Sequence, residues 1–500
     1  MIVSDHPVPD VVAAYIDALP PGDWFFFDMS PLDVTGVPAW KAAFFPHDPA
    51  AAGCDMQQGT GYGAEPEQAM IAATAEVHEE VRARLGFAAL PQVSGSYTDL
   101  ARERGGDGVV DPLTLCLPAG SAVDRDTPLR WVTAARWFTG EPVLVPVDVA
   151  ALTADHLPPG YRPFTTLITN GLGAGPSRSW AAAHGIFECL QRDGNGLVFR
   201  AMDAGVRLTF DDGGLPPQVG AVADRIAAAG IDLLPKFATD EFGFANLYVV
   251  GADYDPAGLR IPIAMTGAGE AADLDRGAAL RKAVLEYAHA RARKAFVFGP
   301  LELVATVMPP GYWERARVCC DRAARATEPR QVEAFRRWLA LDGNGLRDLF
   351  ADPVFAVRSS RSFGTLPAST VRSPVEKGHE AARRLRAAGL DPLIVDFTAP
   401  GSAMHAVRVI VPGLEVETMS YHRIGERNTA KLIAADSPLI RMGEPSDTRR
   451  PVRLPPEAYD RLGGVPLLDT AAVDAKVGAL YPLYREPGAH EMLFHTRAAA

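Results

Sequence analysis

Five hundred residues, 48% hydrophobic and 22% charged, describe a soluble globular chain, and length alone suggests about three domains of roughly 150 residues. A net charge of −12 argues against a chain that wraps nucleic acid, which needs a basic face. No run nears the ~20 apolar residues that cross a bilayer, so neither nucleic acid nor membrane is an expected partner.

The N-terminus, Met1-Ile2-Val3-Ser4-Asp5-His6, has no basic start followed by an apolar run, so no signal peptide is expected. Cys54, Cys116, Cys189, Cys319 and Cys320 show neither C-x-x-C nor zinc-ligand spacing, and a reduced cytoplasm is the expected setting. Trp24-Phe25-Phe26-Phe27-Asp28 predicts a strand, and the Gly and Pro of 31–38 end it. Gly59-Thr60-Gly61-Tyr62-Gly63 reads as a turn or loop, after which Pro66 opens a helix over 67–85. Residues 142–147 predict a second strand, ahead of a helix that begins near Gly175. Residues 245–250 alternate as a strand does, and Ile261-Pro262-Ile263-Ala264-Met265 reads as another. Gly267-Ala268-Gly269 leads into a helix over 276–294. Arg315, Arg317, Arg322, Arg325, Arg330, Arg336 and Arg337 form a basic cluster that Glu314, Asp321, Glu328 and Glu333 dilute, the pattern of solvated helix faces. A helix over 377–389, closed by Gly389, precedes two strands that read as a pair, 393–398 and 406–414.

The recurring unit is strand, Gly-rich loop and Ala-rich acidic helix, three times without a fixed period. The predicted fold is α/β (α+β), with Ala-rich helices packed on mixed or antiparallel sheets. Glu76 and Glu79 lie three apart, hence on one helix face. Glu188 and Gln191 repeat that spacing, followed by Arg192 and Asp193, and Glu286 stands between Arg281 and Arg291. Hard cations want oxygen ligands, and Mg²⁺ usually combines one or two carboxylates with substrate phosphates. Converging helices of this kind would hold metal and a nucleotide, with arginine stabilising charge on a transferred phosphoryl group. Singly, each carboxylate pair is also the pattern of a solvated helix face. Asn170-Gly171-Leu172-Gly173-Ala174-Gly175 is no P-loop, since no Lys-Ser/Thr follows, and it misses the dinucleotide fingerprint.

Taken in order, residues 24–38, 59–79, 165–193, 266–291 and 390–427 resemble consecutive blocks of the YcaO family. The elements are L-D-x-x-G-x-P from Leu32 to Pro38, T-N-G-x-x-x-G from Thr169, E-x-x-x-R-D ending at Asp193, the helix around Glu286, and Val411-Pro412-Gly413-Leu414. The resemblance implies an enzyme that uses ATP and Mg²⁺ to phosphorylate a backbone amide oxygen of a peptide or protein substrate. A Cys, Ser or Thr side chain, an external sulfur donor or an amine then attacks. By matched position, the resemblance implies Glu76, Glu79, Glu188 and Glu286 as metal ligands. It implies Gly61, Gly63, Asn170, Gly171, Gln191, Arg192 and Arg281 at the nucleotide, and Arg192, Arg281 and Arg291 facing phosphates or bracing carboxylates. It also implies a family-like body over 21–430, with 1–20 as an extension and 431–500 as a C-terminal segment packed on that body.

The chain departs from the family's pattern at several positions. Tyr62 stands for a Lys, Ala72 for a Ser, Glu80 for an Arg, Pro176 for an Asn, Trp180 for a Glu, and Gln191 for a second glutamate. Such losses weaken a phosphate site, because charge-assisted hydrogen bonds are the strong ones. Two readings stand: an ATP-dependent amide-modifying enzyme, and a family member that scaffolds or presents a substrate to a partner. The retained glutamates rank the enzyme first. The end of the chain lacks the Pro-rich tail of azoline-forming members, and Tyr481-Pro482-Leu483-Tyr484-Arg485-Glu486-Pro487-Gly488 packs on the body or lines a groove. About 20 residues precede the family-like region, too few for a leader-peptide-binding domain, so a ThiF-like or TfuA-like partner protein is expected, and a homodimer is the default assembly. His78 points off the face of Glu76 and Glu79 and reads as structural, whereas His184 and His289 sit on candidate helices as weaker acid/base choices.

Overall fold

The computed structural model describes residues 1–210, 215–324, 328–485, 490 and 493. Its contacts divide the chain into two compact units, each assembled from separate stretches. The first comprises Met1–Val81, Val198–Thr370 and Ala479–Ala500; the second comprises Arg82–Leu197 and Val371–Gly478. The architecture is mixed α/β, with helices packed on mixed and antiparallel sheets.

The first unit holds two mixed sheets. One runs in the order Ile2–Ser4, Gly22–Asp28, Ala39–Pro46, Gln57–Tyr62, with only the first pair parallel. Every residue of Ala39–Pro46 is buried, and Trp24, Phe25 and Phe26 are buried beside it, which is why these strands read as apolar runs rather than alternating ones. Residues 1–20 are woven into this unit through the pairing of Ile2–Ser4 and through Tyr15, buried on helix Asp10–Asp17. The second sheet runs Gly269–Asp273, Ala245–Asp253, Ile231–Thr239, Val206–Thr209, Ser359–Ser362. Helix Arg276–Phe298 covers it, with Ala283, Val284 and Tyr287 packed into a core that includes Leu247 and Val249.

Two expectations fail here for physical reasons. Residues 59–63 are not a loop: Gln57–Tyr62 is a strand, with Gly61 opposite Trp40. Its glycines serve close packing, because a Cβ on Gly61 would stand 2.2 Å from the Ala69 carbonyl oxygen of helix Pro66–Ala89. Residues 261–265 are not a strand either. Pro262–Thr266 is a short 3₁₀ helix, and Pro262 at its start lacks the N–H that a central strand must donate.

In the second unit, a sheet of antiparallel pairs runs Val93–Gly95, Leu129–Arg136, Leu393–Asp396, His405–Ile410, Leu172–Gly175, and Pro142–Pro146 also pairs with Leu129–Arg136. The predicted pair near residues 393 and 406 forms, with Leu393 opposite Ile410. Helix Arg178–Asn195 packs on this sheet and against helix Pro374–Ala387, where Gly378 meets Ala183. Val132, Val145, Leu172, Val395 and Phe397 form the core, together with Ala83 and Phe87 from the last turns of helix Pro66–Ala89.

The basic cluster is dispersed among acidic partners. Arg315 pairs with Asp23 (2.7 Å), Arg322 with Asp55 (2.8 Å) and Arg337 with Glu333 (3.0 Å); Arg325 lies outside the described residues. No disulfide joins any of the five cysteines among the described residues. Among the described residues, no helix is long and apolar enough to cross a membrane.

Candidate active site

Three glycine-bearing strands each turn into an Ala-rich helix: Gln57–Tyr62 into Pro66–Ala89, Leu172–Gly175 into Arg178–Asn195, and Gly269–Asp273 into Arg276–Phe298. In each case a backbone N–H at the strand donates to a glutamate on the helix. Thr60 donates to Glu76 Oε2 (2.5 Å), Gly171 to Glu188 Oε2 (2.9 Å) and Glu270 to Glu286 Oε1 (3.3 Å). The separations along the chain are 16, 17 and 16 residues. An N–H donated to an ionised carboxylate is a charge-assisted bond, and it fixes where that carboxylate sits. Close packing makes the bond possible: a Cβ on Gly269 would stand 2.0 Å from the Ala283 carbonyl oxygen. Ser177 and Asp275 cap the second and third helices by accepting from the N–H groups of Trp180 and Ala278.

In the first unit, Tyr62 Oη donates to Glu286 Oε2 (2.8 Å), so both oxygens of Glu286 accept hydrogen bonds. Burial pushes the Glu76 carboxyl up, and the Thr60 N–H pulls it back down. Glu79 is half-buried on the same helix, one turn beyond Glu76. Gly61 sits in the strand ladder and Gly63 is buried in the turn that follows. Arg281 is exposed. Arg291 is fully buried: its Nη1 and Nη2 donate to Asp253 (2.8 and 2.9 Å), and its Nε donates to Asp33 (3.1 Å). Arg291 is thus engaged by Asp33 and Asp253, carboxylates other than the glutamates expected to bind metal. Sequence reasoning missed Asp253 and also Glu270, which is buried and paired with Arg200 (3.1 Å). A charged residue between Gly269 and Ala271 inside a strand was the available signal for Glu270.

In the second unit, Glu188 is partly buried, with Arg192 one turn on at 3.7 Å. Gly171 has φ +85°, a left-handed conformation that favours glycine, and its carbonyl accepts from the Val409 N–H (2.7 Å). Gln191 is buried. Asp193, also buried, pairs with Arg427 and accepts from the Glu415 N–H (2.8 Å). Asn170, Cys189 and Arg192 line a cavity of about 80 Å³. Burial pushes the Cys189 thiol up to about 12, so it is a neutral thiol at pH 7 and no nucleophile.

His78 is buried against Tyr15, with ring centroids 5.1 Å apart. Burial pushes His289 down to about 3, leaving it neutral, and His184 is exposed. Tyr481 Oη donates to Glu328 (2.7 Å) and Tyr484 Oη accepts from the Ala201 N–H (2.9 Å), so the Pro/Tyr motif packs on the first unit. Its residues 486–488 and the terminal 494–500 lie outside the described residues.

Among the described residues, no three or more His, Cys, Asp or Glu side chains are grouped to hold a metal ion by themselves. The donor chemistry fits Mg²⁺ all the same. Mg²⁺ is a hard cation that takes one or two carboxylates and completes its shell with phosphate oxygens and water. Glutamates anchored by backbone N–H groups supply ligands of that type.

The sequence profile of YcaO cyclodehydratases, described as ATP- and Mg²⁺-binding, matches residues 60–415. An uncharacterized protein of Methanothermobacter thermautotrophicus is 28% identical over 402 residues, covering 80% of this chain and 91% of the relative. An uncharacterized protein in the tfuA 3′ region of Rhizobium leguminosarum bv. trifolii is 27% identical over 392 residues, covering 75% and 81%. Among solved structures, a heterocyclase in complex with substrate and cofactor superposes with a TM-score of 0.55 at 18% identity, covering 81% of this chain. The match takes in 51% of that heterocyclase, about half its length. YcaO from Methanopyrus kandleri, bound with AMPPCP and Mg²⁺, superposes with a TM-score of 0.52 at 19% identity, covering 80% of this chain and 88% of that one. The two structures share the fold of this chain.

Proposed function

The chain belongs to the YcaO family, and from that premise we propose that it activates a backbone amide of a peptide or protein substrate for attack by a sulfur, hydroxyl or amine nucleophile. Its cofactors are ATP and Mg²⁺. ATP would supply the phosphoryl group that turns a poor leaving group, the amide oxygen, into a good one, and Mg²⁺ would offset the phosphate charge.

The residues of this chain bind and orient. Glu76, Glu79, Glu188 and Glu286 hold Mg²⁺. The N–H groups of Thr60, Gly171 and Glu270 hold three of those carboxylates in place beforehand, so less ordering is left to accompany metal binding. Arg192 and Arg281 meet phosphate charge, and Gly61, Gly63, Asn170, Gly171 and Gln191 border the nucleotide. Arg291 is a positioning residue: it holds Asp33 and Asp253 and lies too deep to touch a ligand. The repeated amide-to-glutamate bond is the observation that carries this reading. A substrate-delivering partner of the TfuA-like or ThiF-like kind is part of the proposal; the Rhizobium relative, named for its place in the tfuA 3′ region, supports the TfuA-like alternative.

A second reading, a family member that presents substrate without using nucleotide, is favoured by one observation. Tyr62 stands where the family has Lys, so the positive charge that would meet phosphate there is missing. Calorimetric titration with ATP, with and without Mg²⁺, separates the two. Mg²⁺-dependent binding that Glu188→Ala abolishes supports the enzyme, and absence of binding in both conditions supports the presenter.

A further inference from the structure

The cavity in the second unit has apolar walls and two buried cations. Val149, Ile168, Val411 and Leu414 supply the walls, and Arg408 and Arg423 the charge. Arg408 lies within strand His405–Ile410 and is 3% exposed. Its Nη1 donates to the Ala151 carbonyl (3.1 Å) and its Nη2 to the Ile168 carbonyl, while its buried Nε has no partner. Arg423, equally buried, donates from Nε to the Cys116 carbonyl (2.9 Å) and from Nη2 to the Leu115 carbonyl (3.2 Å). Neither arginine is in an ion pair among the described residues; the charge of Glu188 reaches Arg408 and that of Glu417 reaches Arg423 only at longer range.

That arrangement calls for an anion. Burying a charge without a counter-ion is costly, and burial pushes Arg408 down to about 10 and Arg423 down as well. The two carboxylates at the cavity are committed elsewhere. Asp148 accepts from Tyr161 Oη (2.6 Å) and the Phe164 N–H (2.8 Å). Glu415 accepts from the N–H groups of Gly425 (2.7 Å) and Asn428 (2.8 Å), at the start of helix Glu426–Ala434.

Size and lining narrow the ligand. One water needs roughly 10–15 Å³ by this measure, so a cavity of about 80 Å³ takes only a few heavy atoms. A phosphate fits the volume but would waste four apolar walls. A planar guanidinium matches a carboxylate, and the walls match a short branched chain.

We propose that this cavity binds a carboxylate carried on a short branched aliphatic chain, with Arg408 and Arg423 taking the carboxylate and Val149, Ile168, Val411 and Leu414 the chain. Two sources share that chemistry: a free short-chain acid, and the terminal carboxylate of a peptide that ends in an aliphatic residue. Binding needs no ATP, and the cavity shares Asn170 and Arg192 with the nucleotide side of the proposed function.

The test is calorimetry on the full chain without nucleotide. Isovalerate and N-acetylglycylvaline are each titrated beside the corresponding uncharged amide. At least one acid is expected to bind roughly tenfold or more tightly than its amide, the step that about 1.4 kcal/mol gives. Binding of isovalerate alone identifies a small-acid site, and binding of the peptide alone identifies a C-terminus site; where both bind, the tighter names the source. Failure of both acids, or equal binding of an acid and its amide, overturns the proposal. Because each amide keeps the size and shape of its acid but loses the charge and one acceptor oxygen, this comparison needs no variant. Arg423→Met, checked for fold by thermal melting, is expected to lose at least tenfold in acid affinity while Mg-ATP titration is unchanged, so failure here is distinguishable from failure of the catalytic reading.

Discussion

The Tyr62 hydroxyl donates a 2.8 Å hydrogen bond to Glu286 Oε2, joining two residues 224 positions apart in sequence. A hydrogen bond to a charged group contributes about 1.5–3 kcal/mol. Tyr62→Phe removes this bond and leaves the ring in place. We expect Mg²⁺-dependent ATP affinity to fall by roughly tenfold, as 1.4 kcal/mol implies. An unchanged titration would take Tyr62 out of the nucleotide site.

Glutamine at position 188 or 286 keeps an oxygen to accept the N–H of Gly171 or Glu270 but loses the charge that Mg²⁺ requires. Glu188→Gln and Glu286→Gln should therefore melt within a few degrees of the parent and lose roughly a hundredfold or more in Mg-ATP affinity, about 2.7 kcal/mol. A collapse of the melting temperature with intact binding would make these carboxylates structural.

Arg291→Lys keeps a charge but cannot span both Asp253 oxygens and Asp33. Breaking a buried pair by removing one partner costs about 3–5 kcal/mol, and most of that range is expected here in urea unfolding. ATP affinity per folded molecule should hold. Loss of ATP binding at unchanged stability would place Arg291 on a phosphate instead.

Lys294 is buried, with Nζ donating to Thr266 O (2.9 Å) and Oγ1 (3.0 Å), and burial pushes its ammonium down to about 7. The unfolded chain holds that proton up to about pH 10.4. Between those values the unfolded state binds one proton more, so this group's contribution to stability rises with pH. Relative to Lys294→Met, the parent should gain about 1.4 kcal/mol per pH unit between roughly pH 7.5 and 9.5 in urea unfolding. A pH-independent difference would show that Lys294 stays charged in the fold.

The sequence showed those parts of the structure whose causes are local. Pro66 and Gly389 mark helix ends, Trp24 to Phe27 mark a buried strand, and the paired strands after Leu393 show in their β-branched runs. Residues 59–63 misled because a glycine that admits a neighbouring helix looks the same as one that makes a turn. Within the candidate site, the glutamates were visible as carboxylates on Ala-rich helices. What holds them was not, because a backbone N–H carries no sequence signature. The partnership of Arg291 with Asp253 was hidden as well, since only folding brings residues 38 positions apart into contact. The two units escaped notice because the chain passes between them repeatedly with no linker composition at the crossings.

The spacing of 16 or 17 residues between each donating amide and its glutamate turns the hairpin between strand and helix into a phase constraint. An α-helix advances about 100° per residue. One residue inserted or deleted after Thr60, Gly171 or Glu270 would swing the carboxylate by more than a quarter of a turn while leaving strand, helix and composition intact. Side chains along these segments can drift so long as the count is kept and the glycines that let each helix approach its strand remain.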